Sequence, residues 1–308
     1  PTLPEGIHEN IGFSLYRDLE YLNSGALRYM DTSPMHCRAA LDGDLDRDSD
    51  DMRMGRAFHV CLLEPEAWES YAVSLRCAAT MKSGVNKGSY CQHTGKYRDA
   101  SGIWWCGKHA PEGASIPNEF CTVAEKTAAE EMREAVMNHP VGNILHKRGG
   151  TEITIIWQRV IPVVLENGEE ITTQDVTITL KARIDKLVME GHPISIDLKS
   201  CAVGAAYPHK CRSSIDAYGY NVQAAMYRDA VRHATEDAIE PDIMLVFCEK
   251  KKPYDVCVMQ FDAEDIDISE REYESLLLRY AKCVAQGKWP GGHSDVCMPS
   301  LPAYRREE

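Results

Sequence analysis

The chain has 308 residues, of which 26% are charged and 44% hydrophobic, and a formal net charge of −13. Such a composition describes a soluble globular protein with room for one large core or two modest ones. It excludes a helical membrane span, because no apolar run approaches the ~18 residues that one needs. The negative charge is a weak objection to DNA binding, because nuclease sites are acidic and phosphate contacts need only a local basic groove.

The N-terminal PTLPEGIHENIGF has neither a basic start nor an apolar run and is not a secretory signal. The start at Pro1 fits loss of an initiator Met or a fragment of a longer protein. Residues 12–75 read as helical. Asn23-Ser24 can cap a helix through Tyr29, and Ser33-Pro34 breaks before another. Ser49 or Asp50 can cap a helix through Leu63, closed by Glu64-Pro65. That helix carries His59 among the core-like Phe58, Cys61 and Leu62; a lone helical histidine is ordinarily a hydrogen-bonded structural residue.

Residues 76–118 are rich in Gly, Lys, Cys and His and read as an irregular insertion. Twelve cysteines without a secretion signal argue against a disulfide framework and for a cytoplasmic setting. Cys61, Cys201, Cys248 and Cys257 read as small core residues. Cys91-Gln-His93 followed by Cys106-Gly-Lys-His109 differs, having metal-ligand spacing. Cys91, Cys106 and His109, with His93 or Cys77 as the fourth ligand, would suit a structural Zn²⁺. Such a site has no open position for catalysis. It would fix Lys82, Lys87, Lys96, Arg98 and Lys108 as a surface for DNA or for another subunit. Lys147-Arg148 and Lys250-Lys251-Lys252 are further basic clusters.

A helix over 120–147 ends before Gly149-Gly150. Strands follow at about 151–160, 174–188 and 193–199, then a helix over about 215–234. Strands near 242–248 and 255–261 precede a long helix over about 263–287. The tail from Trp289 to Tyr304 reads as extended. No internal repeat is visible. The order of elements indicates a mixed α/β or α+β core in a single domain over 1–308. That domain divides into a helical N-terminal segment (residues 1–75), the insertion (residues 76–118) and a core (residues 119–308).

The segment Ala182–Lys199, ARIDKLVMEGHPISIDLK, holds the densest chemistry. It reads as two strands joined by a turn at Glu190-Gly191-His192-Pro193. Ile194, Ile196 and Leu198 share one face, and Ser195, Asp197 and Lys199 the other. Centred on Gly191, the hairpin sets Asp185 opposite Asp197, with Cβ atoms roughly 5 Å apart. Facing carboxylates destabilise a sheet unless a divalent cation sits between them. This is the D…(D/E)-x-K arrangement of metal-dependent phosphodiester cleavage. Two features outside it break local apolar logic. Glu152 opens the strand TEITIIW. Tyr220, Gln223 and Tyr227 form one helical stripe in which a buried amide would need partners.

The ordered set Gly55…His59, Glu152, Asp185, Asp197-Leu198-Lys199 and Gln223…Tyr227 resembles the PD-(D/E)XK nuclease superfamily, in the branch with the RecB nuclease domain and lambda exonuclease. YLNSGALRYMDTSP, RMGRAFHVCLLEPE, IDLKS, YGYNVQAAMY and WPGG…LPAY resemble the RecE (exonuclease VIII) type most, over most of the chain outside 76–118. Arg56 departs from the pattern, which commonly has Thr after the glycine.

The resemblance implies a mixed central sheet flanked by helices. It implies that His59, Asp185, Asp197 and the Leu198 carbonyl bind Mg²⁺, with Mn²⁺ as a substitute. Lys199 would position or activate the attacking water, Glu152 would be a secondary acid, and Gln223 and Tyr227 would orient Lys199 and the phosphate. It further implies 5′→3′ digestion of double-stranded DNA ends, a single-strand annealing protein as partner, a ring-shaped homo-oligomer (a tetramer) and a phage recombination role, with no membrane involved. The rival readings are another nuclease of the superfamily, either an endonuclease or a RecB-like enzyme, and a non-catalytic zinc-bearing DNA-end-binding protein. An iron–sulfur RecB-like enzyme would carry a tight cysteine cluster after the core, where this chain has only Cys283 and Cys297.

Overall fold

The computed structural model describes residues 1–45, 49–117, 119–167 and 170–292. Most of the tail expected to be extended, Cys297 included, lies outside the described residues. Six strands form the central sheet: β1 (Gly6–His8), β2 (Gly149–Asn167), β3 (Glu170–Val188), β4 (Ile194–Cys201), β5 (Asp242–Glu249) and β6 (Val256–Gln260). They lie side by side in chain order. Every neighbouring pair is antiparallel except β4 and β5, which run parallel. The sheet is therefore mixed, as the sequence predicts.

A parallel pair needs a crossover. Here it consists of α3 (Pro208–Tyr218) and α4 (Tyr220–Ala234), where the sequence predicts one helix. The break is Gly219, at φ +65°. A Cβ there would add left-handed strain and sit 3.2 Å from the Arg28 Cβ. Arg28 Nη1 donates to the freed Tyr218 carbonyl at 2.9 Å, satisfying the helix end.

The remaining long helices are α1 (Asp50–Leu63), α2 (Val123–Asn138) and α5 (Ala263–Gln286). Ser49 caps α1, as predicted, and Thr122 with Glu125 forms a reciprocal capping box on α2. The predicted helix over 120–147 is two pieces, because α2 ends at Asn138 before Pro140 and a short helix, Gly142–Leu145, follows.

Strand alternation divides the core into two clusters. Ile153, Ile155 and Trp157 of β2, with Ile178, Leu180 and Ile184 of β3, pack against Val222, Met226 and Ala230 of α4 and Leu277 of α5. Ile196 and Leu198 of β4, with Met244 and Val246 of β5, pack against Phe58 of α1 and Met132 of α2. Cys61 and Cys248 belong to this second cluster, and Cys257 to a smaller one with Leu245 and Phe247 that Cys201 flanks. Cys61, Cys248 and Cys257 are buried core residues, as expected, and Cys201 is partly buried against the core. β1 and the distal half of the β2–β3 hairpin escape sequence reading; Val160 and Val164 are exposed there, so the signal for a half-buried strand is weak.

Asp229 on α4 ties the first cluster together. Its carboxylate accepts from Trp157 Nε1 at 2.9 Å, Tyr273 Oη at 2.8 Å and Arg159 Nη1 at 3.0 Å. Replacement by Ala orphans three partly buried donors. Asp229→Ala should cost about 3 kcal/mol of stability, and Asp229→Asn less, read from urea midpoints at unchanged slope.

Candidate functional site

The β3–β4 ladder pairs Val188 with Ile194, Leu187 with Ser195 and Lys186 with Ile196, and ends there. The register is centred on Gly191, as predicted, so Asp185 and Asp197 occupy the first step beyond the ladder. β4 continues along β5 to Cys201, and a fork opens between β3 and β4. The Leu198 N–H, which a continued ladder would join to β3, donates to Asp185 Oδ2 at 2.7 Å. The Leu198 carbonyl lies 3.1 Å from His59 Nε2.

His59 enters from α1, on the second core cluster's face. Gly55 permits this approach: a Cβ there would lie 3.2 Å from Ser200 Oγ on β4. One turn later His59 reaches the fork, with Nδ1 3.5 Å from Asp185 Oδ2. Gln223 and Tyr227 enter from α4, on the opposite face. Lys199 Nζ donates to Gln223 Oε1 at 2.8 Å and lies 4.1 Å from the Tyr220 ring centroid. Gln223 Nε2 lies 2.7 Å from Tyr227 Oη and 3.3 Å from Asp197 Oδ1. The Tyr220–Gln223–Tyr227 stripe read from the sequence is thus a polar clamp on Lys199 and Asp197 rather than plain core.

Glu152 completes the site. It sits at φ +51°, a left-handed conformation that is strained for any residue with a Cβ. Neither Glu152 nor Asp185 takes part in the β2–β3 register, which passes from Thr151–Lys186 to Ile153–Ile184. This local break brings Glu152 to Arg183, whose Nε donates to its carboxylate and whose Nη1 donates to the Ile11 carbonyl. Arg183 escapes the sequence motif; its place two residues before Asp185 on a strand is the signal that could find it. A cavity of about 400 Å³ opens beside Glu152 and Arg183, lined also by Asn10, Gly12, Pro65 and Thr151.

The electrostatics follow from burial. Burial disfavours the protonated form of His59, yet Asp185, Glu152 and Asp197 outweigh it and raise its pKa to about 9. Burial likewise works against ionised Asp185, but His59, Lys199 and the Leu198 N–H hold its carboxyl below the ordinary value. Burial pushes Asp197 up to about 6 against the pull of Lys199, and Glu152 up to about 7 against Arg183 and His59. Asp197 and Asp185 hold Lys199 above its ordinary value despite burial.

One ligand atom each from His59, Glu152 and Asp185 lies within 4.8 Å of the others. The donors are carboxylate oxygen and imidazole nitrogen, with the Leu198 carbonyl adjacent, and they suit a hard divalent ion. Glu152, expected as a secondary acid near the metals or DNA, stands in this group. Asp197, expected beside Asp185 in the metal shell, does not: it is drawn to Lys199 in an ion pair and to Gln223. Its buried Oδ2 is the oxygen paired with Lys199 Nζ.

The insertion also gathers ligands. Cys77, Cys91, Cys106 and His109 bring their ligand atoms within 4.8 Å of one another. Of the two candidates for the fourth position, Cys77 joins the group. His93 does not: it is exposed on the bend beyond Cys91, with Nδ1 3.3 Å from that thiol. Lys250 of the expected basic run is neutralised by Asp51.

The sequence profile of one family, described as "PDDEXK-like domain of unknown function (DUF3799)", matches residues 122–299. That span contains Glu152, Asp185, Asp197, Lys199, Gln223 and Tyr227, but neither His59 nor the cysteine group. Among solved structures, a candidate exonuclease from Eubacterium rectale is 9% identical, covering 97% of this chain and 99% of its own at a TM-score of 0.49. A second, SSO0001, is 16% identical over 46% of this chain and 54% of its own, at a TM-score of 0.22. No curated protein matches the chain.

If His59 is a ligand, His59→Ala weakens Mn²⁺ binding by about ten-fold or more without changing the circular-dichroism spectrum. Isothermal titration calorimetry reads the affinity, and unchanged affinity assigns His59 a packing role.

Proposed function

Because the chain belongs to the family of PDDEXK-like domains of unknown function that matches more than half of it, we propose that it is a metal-dependent exodeoxyribonuclease of the RecE type. It hydrolyses phosphodiester bonds in linear double-stranded DNA, 5′→3′, and leaves 3′ single strands for an annealing protein. The observation that carries the reading is the fork itself. Asp185, Asp197 and Lys199 are held where strand pairing ends, with His59 reaching in from one face and Gln223 from the other.

Mg²⁺ or Mn²⁺, held by Asp185, His59 and Glu152, with Asp197 and the Leu198 carbonyl in reach, would supply an acidified water and charge stabilisation at the leaving oxygen. The chain's own groups do the rest. Lys199 is charged and desolvated, so its ammonium offsets the charge that builds on the phosphate in an in-line displacement. Gln223 and the Tyr220 ring restrict Lys199 to one position, which lowers the cost of orienting it. Tyr227 fixes the Gln223 amide so that its oxygen faces Lys199. Arg183 holds Glu152 at the rim of the cavity.

The insertion supplies cationic surface. Residues 76–118 hold six Lys or Arg against two Asp or Glu, in a chain of net charge −13. Lys82, Lys87, Lys96, Arg98 and Lys108 are all exposed and suit contacts to the phosphate backbone. A closed homo-oligomer around the duplex, a tetrameric ring, would retain the substrate between cuts, and the setting proposed is cytoplasmic, in phage recombination. No helix among the described residues is long and apolar enough to cross a membrane.

Asp197→Asn and Lys199→Ala should each reduce Mg²⁺-dependent digestion by more than ~10²-fold while the protein stays folded. Near-normal turnover in either folded variant refutes the site. Wild type should consume linear duplex and spare covalently closed circles; rapid cutting of closed circles would indicate an endonuclease instead. Charge reversal at Lys96 and Arg98 should weaken duplex binding and flatten its dependence on salt by about one unit of slope per lost phosphate contact.

A further inference from the structure

The segment between α1 and α2 is held at its base. Val73–Ser74 pairs in parallel with Cys121–Thr122, and Arg53 of α1 stacks over Phe120 at 5.1 Å and pairs with Glu125 of α2. Beyond that base the segment has little regular structure. Among the described residues it pairs Tyr97–Arg98 with Trp104–Trp105 and adds single bridges at Arg76–Thr94, Thr80–Tyr90 and Arg98–Ser115.

A module of this size needs a source of order, since folding each residue costs about 1–2 kcal/mol of conformational entropy. Its buried centre consists of Cys77, Cys91 and Cys106, with Ala79, Met81 and Trp105 packed against them, while the module's large buried side chain, Trp104, packs on Phe120 at the base. Three thiols are a poor hydrophobic core. They are a good ligand set.

The geometry is specific. Cys91 Sγ lies 4.0 Å from Cys106 Sγ, and His109 Nδ1 lies 3.3 Å from Cys106 Sγ and 3.6 Å from Cys77 Sγ. A tetrahedral zinc with Zn–S ~2.3 Å and Zn–N ~2.0 Å has S···S edges of about 3.8 Å and S···N edges of about 3.5 Å. The observed separations lie close to both. They also exclude a disulfide between Cys91 and Cys106, whose sulfurs would be ~2.05 Å apart. Backbone bonds set the ligands: Cys77 N–H donates to the His93 carbonyl, Cys91 N–H to the Ala79 carbonyl, and His109 N–H to the Cys106 carbonyl, closing the Cys106-Gly107-Lys108-His109 knuckle. Among the described residues, the remaining cysteines join no such group.

We propose that Cys77, Cys91, Cys106 and His109 bind one Zn²⁺ that orders the 76–117 module and takes no part in catalysis. With three thiolates and one imidazole the tetrahedron is complete, which leaves no position for a reactive water. The proposal stands independently of the nuclease reading, because its ligands are separate from His59, Asp185 and Asp197.

The test is elemental analysis of full-length protein purified without chelators. About one zinc per chain is expected, and less than about a tenth of an equivalent overturns the proposal. Cys77→Ser should lose the metal and His93→Ala should keep it; the reverse pattern overturns the ligand assignment. Because Cys77→Ser could misfold, wild type is also reconstituted with Co²⁺, whose thiolate charge-transfer and tetrahedral d–d bands report a thiolate-rich site, whereas a weak octahedral spectrum overturns it. Finally, mercurial release of the metal should make the 76–117 module the first site of protease cleavage. Unchanged cleavage after complete release overturns the ordering role.

Discussion

Three carboxylates, Asp185, Asp197 and Glu152, are crowded into a largely buried fork, and the structure is arranged so that each has its own cation. His59 faces Asp185, Lys199 faces Asp197 and Arg183 faces Glu152. Buried like charges repel strongly, and a buried ion pair returns little net stability once desolvation is counted. An assembly of this kind is not a device for folding. It is a place where the surrounding fold gives up stability to keep charge ready, and the strained left-handed backbone at Glu152 adds to that loss.

The two hydrophobic clusters hold the fork open. The first anchors the long β2–β3 hairpin to α4 and α5, and the second anchors β4 and β5 to α1 and α2. β3 therefore belongs chiefly to one packing unit and β4 to the other. They share three paired steps near the turn and then diverge. The carboxylates lie at the point of divergence, so rigid layers on both sides fix their separation. The same layering explains the reach of His59 and Gln223 from opposite faces, with Gly55 as the position where a missing side chain lets α1 approach β4.

The insertion follows a different logic. The core is ordered by two large apolar clusters, whereas the 76–117 module buries little beyond its cysteines and Trp104 and concentrates cationic side chains instead. A charged surface on a small module is hard to hold by hydrophobic burial alone. Ligand chemistry at its centre would free the remaining residues for contact with a polyanion.

Much of this was determined by the sequence itself. Strand alternation placed Asp197 and Lys199 on one face and Ile196 and Leu198 on the other, and the symmetric turn about Gly191 fixed the register of Asp185 against Asp197, because both are local, period-two properties. The cap at Ser49 and the stripe Tyr220–Gln223–Tyr227 are likewise local. Long-range geometry decided the rest. Where the β3–β4 ladder stops, after Ile196, and which cation each carboxylate meets depend on elements far apart in the chain. Arg183 was invisible because its partners, Glu152 and the Ile11 carbonyl, lie 31 and 172 residues away in the chain. Cys77 displaced His93 because cross-strand bonds, not spacing, determine which side chains meet at a centre. Sequence pattern names the groups on each face, and only the packing of one element against another chooses which of them touch.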